Sequence, residues 1–213
     1  MDYGKNNTYP KYYFNKLIFV FSLIPCIVIV LAVTLLFGNT TKKQIAASVK
    51  GNMNSWTGSL GESLYELEKL YGNELLYSYD ALDSYFREIR IQDIESSYCY
   101  VTDAEGTMLY HPTKDKVGNS AENEVIMDLV TRIKKGEHPE SECAEYKFKG
   151  ETKYASYFAA PDNSFIFVIT ADESEVLAPA DSIVHVGILI AVIGVVLFAV
   201  LSLIFVKTSS KSR

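Results

Sequence analysis

The chain has 213 residues, 48% of them hydrophobic, and a net charge of −6 at pH 7. Residues 38–182 carry 25 acidic and 14 basic side chains, whereas the two ends together carry one acidic and six basic ones. A folded region this acidic repels a phosphate backbone, so the composition excludes a nucleic-acid-binding protein.

Two apolar segments predict helices that cross a membrane. Residues 17–37 form a stretch of 21 without a charge, and residues 183–206 form a stretch of 24 in which His185 is the sole titratable group. As helices they would span about 31 and 36 Å, enough for a hydrocarbon core of about 30 Å. Because the first segment exceeds the roughly 7–15 apolar residues of a signal peptide, we interpret it as an uncleaved anchor, with a cleaved signal peptide as the alternative.

Basic residues set the orientation of the second segment. Lys207, Lys211 and Arg213 follow it directly, which predicts a cytoplasmic C-terminus, and two spans place the N-terminus on the same side. We therefore expect a multi-pass protein of the cell membrane with three parts outside the two spans: a cytoplasmic tail at residues 1–16, an extracytoplasmic domain at residues 38–182 and a cytoplasmic stub at residues 207–213.

The outer region begins with a helical pattern. Apolar side chains recur every three or four positions from Ile45 to Tyr71, which predicts one long helix that continues from the first span. An apolar stripe of this length packs on its own domain, on a partner helix, or on both, and we expect it to support a homodimer. A second helix is predicted at residues 81–94.

The hydrophobic period then changes to two, which predicts strands. A hairpin is expected first, with Asp103 and Gly106 in its turn and Pro112 ending the pairing. An amphipathic helix at residues 122–136 ends at Gly136. The order predicts an α+β domain with a five-stranded antiparallel sheet and a long N-terminal helix, flanked by two transmembrane helices. The predicted strands are residues 98–103, 107–111, 145–149, 152–158 and 165–170.

Three stretches resemble the single Cache domain, the PAS-like outer sensor of bacterial methyl-accepting chemotaxis proteins. They are YCYVTDAEGTMLYHPTKDKVGN from Tyr98, YKFKGETKYASYF from Tyr146 and SFIFVITADESEV from Ser164. The resemblance implies a receptor that binds a small extracellular ligand, of the carboxylate or amino acid type, and transmits a signal across the membrane in chemotaxis.

Such receptors continue past the second span into a signalling domain, whereas this sequence ends seven residues after Val206. We expect either a fragment or an output supplied by a partner. Two alternatives remain open: the sensor module of a histidine kinase or cyclic-dinucleotide enzyme, and a membrane-anchored scaffold that senses nothing.

Several residues are candidates for ligand binding. Lys153 and Tyr157 share one face of a predicted strand, and an ammonium group with a phenol can bind a carboxylate. The resemblance implies the same role for both; the alternative is that Lys153 extends from an exposed face. Tyr98 and Tyr100 also share a face and either line the same cavity or pack in the sheet. Arg90 either binds a carboxylate bidentately or pairs with surface acids.

His111 is predicted to be either a structural residue or one at the edge of the pocket, because nothing in the sequence places a second histidine beside it as a metal ligand. The sequence has no HExxH, GxSxG or glycine-rich phosphate loop, so we expect neither an enzyme nor a cofactor. Cys99 and Cys143 lie in the outer region, and the sequence leaves open whether they form a disulfide.

Overall fold

A computed structural model describes residues 11–211, so parts of the predicted tail 1–16 and stub 207–213 lie outside the described residues. The chain divides into two compact units. One contains the chain up to Lys42 and from Pro179 onward, and the other is Lys43–Ala178.

The first unit contains the apolar parts of two helices that are long and apolar enough to cross a membrane. The first helix of the chain, α1 (Lys11–Tyr71), and the last, α5 (Glu173–Lys211), have windows with mean hydropathy 2.1 and 3.0. Almost none of either window is buried, as expected of surfaces that face lipid. Just beyond the predicted spans, Lys42 forms an ion pair with Asp181 at 2.6 Å.

The second unit contains the outer part of α1, the first residues of α5 and three shorter α-helices, namely α2 (Glu74–Tyr77), α3 (Tyr79–Phe86) and α4 (Glu124–Lys134). The helix predicted at residues 81–94 was too long, because the chain turns after Phe86. Asp93 has φ 61°, which no α-helix allows. The Ser97 hydroxyl accepts from the Ile91 N–H at 2.7 Å and donates to the Ile94 carbonyl at 2.6 Å, which stabilises the turns.

The predicted fold class is confirmed. Five antiparallel strands form one sheet in the order β2-β1-β5-β4-β3, with the long helix before it. Each strand lies within three residues of its predicted position. The strands are β1 (Tyr98–Thr102), β2 (Met108–Tyr110), β3 (Glu142–Phe148), β4 (Glu151–Ala159) and β5 (Ile166–Asp172).

The turn of the first hairpin forms as the sequence predicted. The Asp103 carboxylate accepts from the N–H groups of Glu105 at 3.0 Å and Thr107 at 2.7 Å. Gly106 has φ 87°, which a glycine adopts without strain. Asp103 and Gly106 thus form the turn that connects the end of β1 to the start of β2.

The sheet separates two hydrophobic cores. One face packs on α1 and α3, and its buried side chains include Met53, Leu64, Leu82, Phe86, Cys99, Tyr154, Phe167 and Ile169. The other face packs on α4, and its buried side chains include Tyr100, Ile126, Leu129, Ile133, Ala155, Tyr157 and Val168. The candidate site lies on this second face.

The register shows that Cys99 and Cys143 do not pair. Cys99 lies opposite Ile169, Ile169 opposite Ser156, and Ser156 opposite Cys143, so the two cysteines occupy one row on four successive strands. Three strand spacings amount to about 14 Å, whereas a disulfide requires Cα atoms within about 7 Å. Both thiols are free.

Candidate functional site

A cavity of about 130 Å³ opens on the α4 face of the sheet. Its first wall comes from the predicted hairpin: Tyr98 and Tyr100 on β1, and His111 just after β2. The ring centroids of Tyr98 and His111 are 5.1 Å apart, those of Tyr98 and Tyr100 6.3 Å, and those of Tyr100 and His111 6.1 Å. The three rings therefore form one compact cluster.

The opposite wall comes from the other edge of the sheet. Tyr146 and Phe148 alternate along β3, and both line the cavity. Between the two walls the central strands carry smaller side chains, because Thr170 of β5 lies opposite Tyr98 and Ala155 of β4 lies opposite Thr170. Large aromatic residues at the sides and small residues between them leave the space open.

The roof is the segment that connects β2 to α4, which contributes Lys116, Ser120, Glu122 and Asn123. Backbone hydrogen bonds hold this segment against β2. The Met108 N–H donates to the Asn119 carbonyl at 2.8 Å, and the Gly118 N–H donates to the Met108 carbonyl at 2.8 Å. The polar side chains of the roof are thus presented by an anchored loop.

Asn123 connects the roof to the first wall. Its carbonyl oxygen accepts from the Val125 N–H at 3.0 Å, which makes it the N-cap of α4. Its side-chain nitrogen then donates to the Tyr100 hydroxyl oxygen at 3.2 Å. Burial raises the pKa of Tyr100 well above its usual value, so the phenol keeps its proton.

On the second wall, the Tyr146 hydroxyl lies 3.1 Å from the Thr170 hydroxyl oxygen. Thr170 donates its own hydrogen to the Tyr154 carbonyl at 2.8 Å. Tyr146 is therefore the donor to Thr170. Burial also raises the pKa of Tyr146, and the phenol stays neutral.

His111 is a neutral ring with a fixed tautomer. Its Nδ1 accepts from the Thr113 N–H at 2.8 Å, so the proton of the neutral imidazole lies on Nε2. Burial, assisted by the positive charge of Lys116, lowers the pKa of His111 to about 4. The ring can thus donate one hydrogen bond without carrying a charge at neutral pH.

The Tyr98 hydroxyl has no hydrogen-bond partner within the part of the chain that the structure describes. Burial raises its pKa to about 12, with further contributions from Tyr146, Asp172 and Glu122. A phenol that is neutral and unpaired can donate to a ligand or accept from it.

Lys153 does not line the cavity but lies next to two residues that do. Tyr146, Lys153 and Asp172 face one another in one row on β3, β4 and β5. The Lys153 ammonium forms an ion pair with the Asp172 carboxylate and lies 6.0 Å from the ring centre of Phe148, which lines the cavity. The predicted lysine is thus beside the cavity, and its charge is already balanced.

No protein-family model matches this chain, and no curated protein matches it. Three of the solved structures that resemble part of it are the following. The periplasmic sensor domain of a chemotaxis protein is 16% identical with a TM-score of 0.44, and the match covers 60% of this chain and 96% of that one. The ligand-binding domain of Mlp24 with asparagine is 16% identical with a TM-score of 0.37, covering 48% of this chain and 38% of that one.

The extracellular domain of the histidine kinase mmHK1S-Z3 is 23% identical with a TM-score of 0.39, and the match covers 48% of this chain and 39% of that one. This chain thus spans about two fifths of the length of the Mlp24 and kinase domains. With TM-scores below 0.5, the likenesses assign neither a ligand nor an output to this chain.

The other two predicted residues lie elsewhere in the second unit. The Tyr157 hydroxyl donates to Glu142 at 3.2 Å and accepts from Arg132 at 3.5 Å. Arg90 donates to the backbone carbonyls of Arg87 at 2.9 Å and Ile89 at 2.8 Å. Arg90 also lines an open groove beside Trp56 on α1. Neither side chain lines the cavity, and ligand binding by them stays a prediction.

The structure thus brings Tyr98, Tyr100 and His111 together and adds residues that the sequence analysis did not name. The additions that matter chemically are Tyr146 and Phe148 on β3 and Lys116 and Asn123 in the roof. Within residues 11–211, no group of three or more histidine, cysteine or acidic side chains is placed to hold a metal ion.

Proposed function

We propose that this chain is an extracytoplasmic sensor, anchored in the membrane, whose small ligand binds in the cavity between β1 and β3. The observation that supports the proposal most is a set of hydrogen-bond donors held neutral and ready at the cavity wall. They are the Tyr100 hydroxyl, the His111 Nε2–H and the unpaired Tyr98 hydroxyl.

The donors favour a ligand with a carboxylate. Phenol and imidazole hydrogens pair well with carboxylate oxygens, and the Lys116 ammonium at the roof adds a positive charge. The volume of about 130 Å³ limits the size. A cavity of about 150 Å³ accommodates benzene, which has six heavy atoms, so acids with two or three carbon atoms fit best.

For the chain as a whole, the proposal retains the predicted arrangement: spans at residues 17–37 and 183–206, both ends in the cytoplasm, and a homodimer through α1. A ligand changes the signal only if it binds one of two arrangements more tightly than the other. The output would be a displacement of about 1–2 Å of the second span relative to the first, as packed helices permit.

We propose that the sensor belongs to a chemoreceptor, with a histidine kinase or a cyclic-dinucleotide enzyme as the alternative. These possibilities share the sensor and differ in the domain that receives the signal. The coding sequence that follows the codon for Arg213 distinguishes them directly.

A thermal-shift screen of the full chain in detergent micelles tests the sensor role. The panel contains acetate, propionate, pyruvate, L-lactate, glycine and L-alanine, with sodium chloride and methylammonium chloride as controls. An acid at about 100 times its Kd stabilises the protein by about 2.7 kcal/mol. We expect a rise in Tm of about 5–10 °C for at least one acid. If no acid in the panel raises the Tm, the result would contradict a sensor of small carboxylates.

A further inference from the structure

We infer that the cavity selects ligands by the direction of their hydrogen bonds, favouring a carboxylate that carries a hydroxyl or ammonium group on the neighbouring carbon over a plain or keto acid. Asn123 and Thr170 are the positioning residues, because they fix which wall donates and which accepts. The inference rests on the proposed function, and it adds a class of ligand to it.

The first wall is fixed as a donor. The Val125 N–H donates to the side chain of Asn123, and within that side-chain amide only the oxygen can accept. The orientation of the amide is therefore determined, and its nitrogen faces Tyr100. Because the Tyr100 oxygen already accepts from Asn123, its hydrogen remains for another partner. Tyr100 is 3% exposed, so that partner must enter the cavity it lines.

The second wall is fixed as an acceptor. The Tyr154 carbonyl can only accept, so the hydrogen of Thr170 is used there. The Tyr146 hydroxyl must therefore donate its hydrogen to Thr170, and only the lone pairs of its oxygen remain for another partner. Tyr146 is 5% exposed and lines the cavity, where those lone pairs can accept from a ligand.

The charged side chains near the cavity leave the Tyr100 wall as the donor and the Tyr146 wall as the acceptor. At the Tyr146 end, the ion pair of Lys153 with Asp172 carries no net charge. At the other wall, neutral His111 adds a second donor, because its Nδ1 is occupied by the Thr113 N–H. Lys116 and Glu122 carry opposite charges in the roof. A carboxylate therefore fits the Tyr100 and His111 wall, and a donor group fits the Tyr146 wall.

Acids of similar size then differ in a predictable order. L-lactate and L-alanine carry a donor group on the carbon beside the carboxylate, propionate carries only hydrogen in its place, and pyruvate carries a carbonyl oxygen. The carbonyl would set its lone pairs against those of Tyr146, and the C–H of propionate would leave the Tyr146 oxygen unsatisfied. We expect L-lactate or L-alanine to bind at least about tenfold more tightly than propionate or pyruvate.

Substitutions that reverse each wall test the inference in the full chain by isothermal titration calorimetry. Thr170→Val frees the Tyr146 hydrogen to donate into the cavity, so the ratio of L-lactate to pyruvate affinity should fall at least tenfold. Thr170→Ser keeps the hydroxyl and should keep the ratio. Tyr146→Phe, which removes the acceptor but keeps the ring, should bring the ratio close to one and serves if Thr170→Val does not fold.

Asn123→Asp tests the first wall. The new carboxylate still caps α4, but it accepts from Tyr100 instead of donating to it, so the affinity for L-lactate should fall at least tenfold. A purely structural role for these residues would weaken all acids alike and leave the ratio unchanged. An unchanged ratio in both Thr170→Val and Tyr146→Phe, with binding retained, would overturn the inference and leave the proposed sensor intact. Failure of every acid to bind the wild type would overturn both.

Discussion

Replacing Gly61 by alanine should lower the free energy of unfolding by about 1–3 kcal/mol. A Cβ atom at this position of α1 would lie 2.5 Å from Cγ and 2.8 Å from Cβ of Phe158 on β4. The obstacle includes the root of the Phe158 side chain, which rotation about χ1 cannot move away. Phe158 also packs on Phe165 at a ring-centroid distance of 6.3 Å, so the helix or the sheet must shift.

Gly58, one helical turn earlier, is the matched control. A Cβ atom there meets nothing within 4 Å, so Gly58→Ala should raise the free energy of unfolding by up to about 1 kcal/mol through helix propensity. Urea titration of the full chain in detergent micelles, followed by near-ultraviolet circular dichroism, measures both variants. Combining Gly61→Ala with Phe158→Ala should remove most of the penalty that the glycine substitution adds. Equal effects at Gly61 and Gly58 would contradict the close packing of α1 on β4.

Acidification from pH 7 to pH 4 should destabilise the protein by up to about 3 kcal/mol through His111 alone. The pKa of His111 in the folded protein is about 4, against an ordinary value of 6.5. Between these values the unfolded chain binds the proton and the folded protein does not. The contribution of His111 is therefore complete above pH 6.5 and is lost as the pH falls toward 4.

His111→Asn isolates this effect from the carboxylates that titrate in the same range. The asparagine oxygen can replace Nδ1 as the acceptor for the Thr113 N–H, and it does not titrate. The difference in unfolding free energy between wild type and variant should therefore change by up to about 3 kcal/mol between pH 7 and pH 4. A difference that stays constant with pH would show that the folded protein tolerates a charged His111.

The sheet could be predicted from the sequence because its signals are local. Alternating side chains mark each strand, and Asp103 with Gly106 marks the first turn through hydrogen bonds within five residues. Tyr98 and Tyr100 could be placed at one cavity for the same reason, since they are two residues apart on one strand. Such features need no knowledge of which strands become neighbours.

The second wall of the cavity depends on the strand order, which the sequence does not state. Tyr146 lines the same cavity as Tyr98 only because β5 and β4 lie between their strands and carry the smaller Thr170 and Ala155 in the row of Tyr98. Tyr157 shares the face of Lys153, as predicted, but it lies four residues further along the strand, where its hydroxyl contacts Glu142 and Arg132 instead.

Arg90 was assigned to a helix that ends four residues earlier. Once the chain turns after Phe86, the Arg90 guanidinium lies against nearby backbone carbonyls. The helix prediction rested on an apolar pattern that continues through Ile89. The turns that replace it depend on Ser97, whose hydroxyl contributes no signal to the hydrophobic period.

The most direct test of the central claim asks where the ligand binds. Isothermal titration calorimetry with L-lactate and L-alanine compares the full chain with two variants, Ser120→Trp and Arg90→Ala. Ser120 is exposed at the cavity roof, so an indole there fills the cavity from its mouth, whereas Arg90 lies at the separate groove beside Trp56. We expect Ser120→Trp to abolish binding and Arg90→Ala to keep the Kd within about twofold of wild type. Binding that survives Ser120→Trp and disappears in Arg90→Ala would contradict the assignment of the cavity as the sensor site.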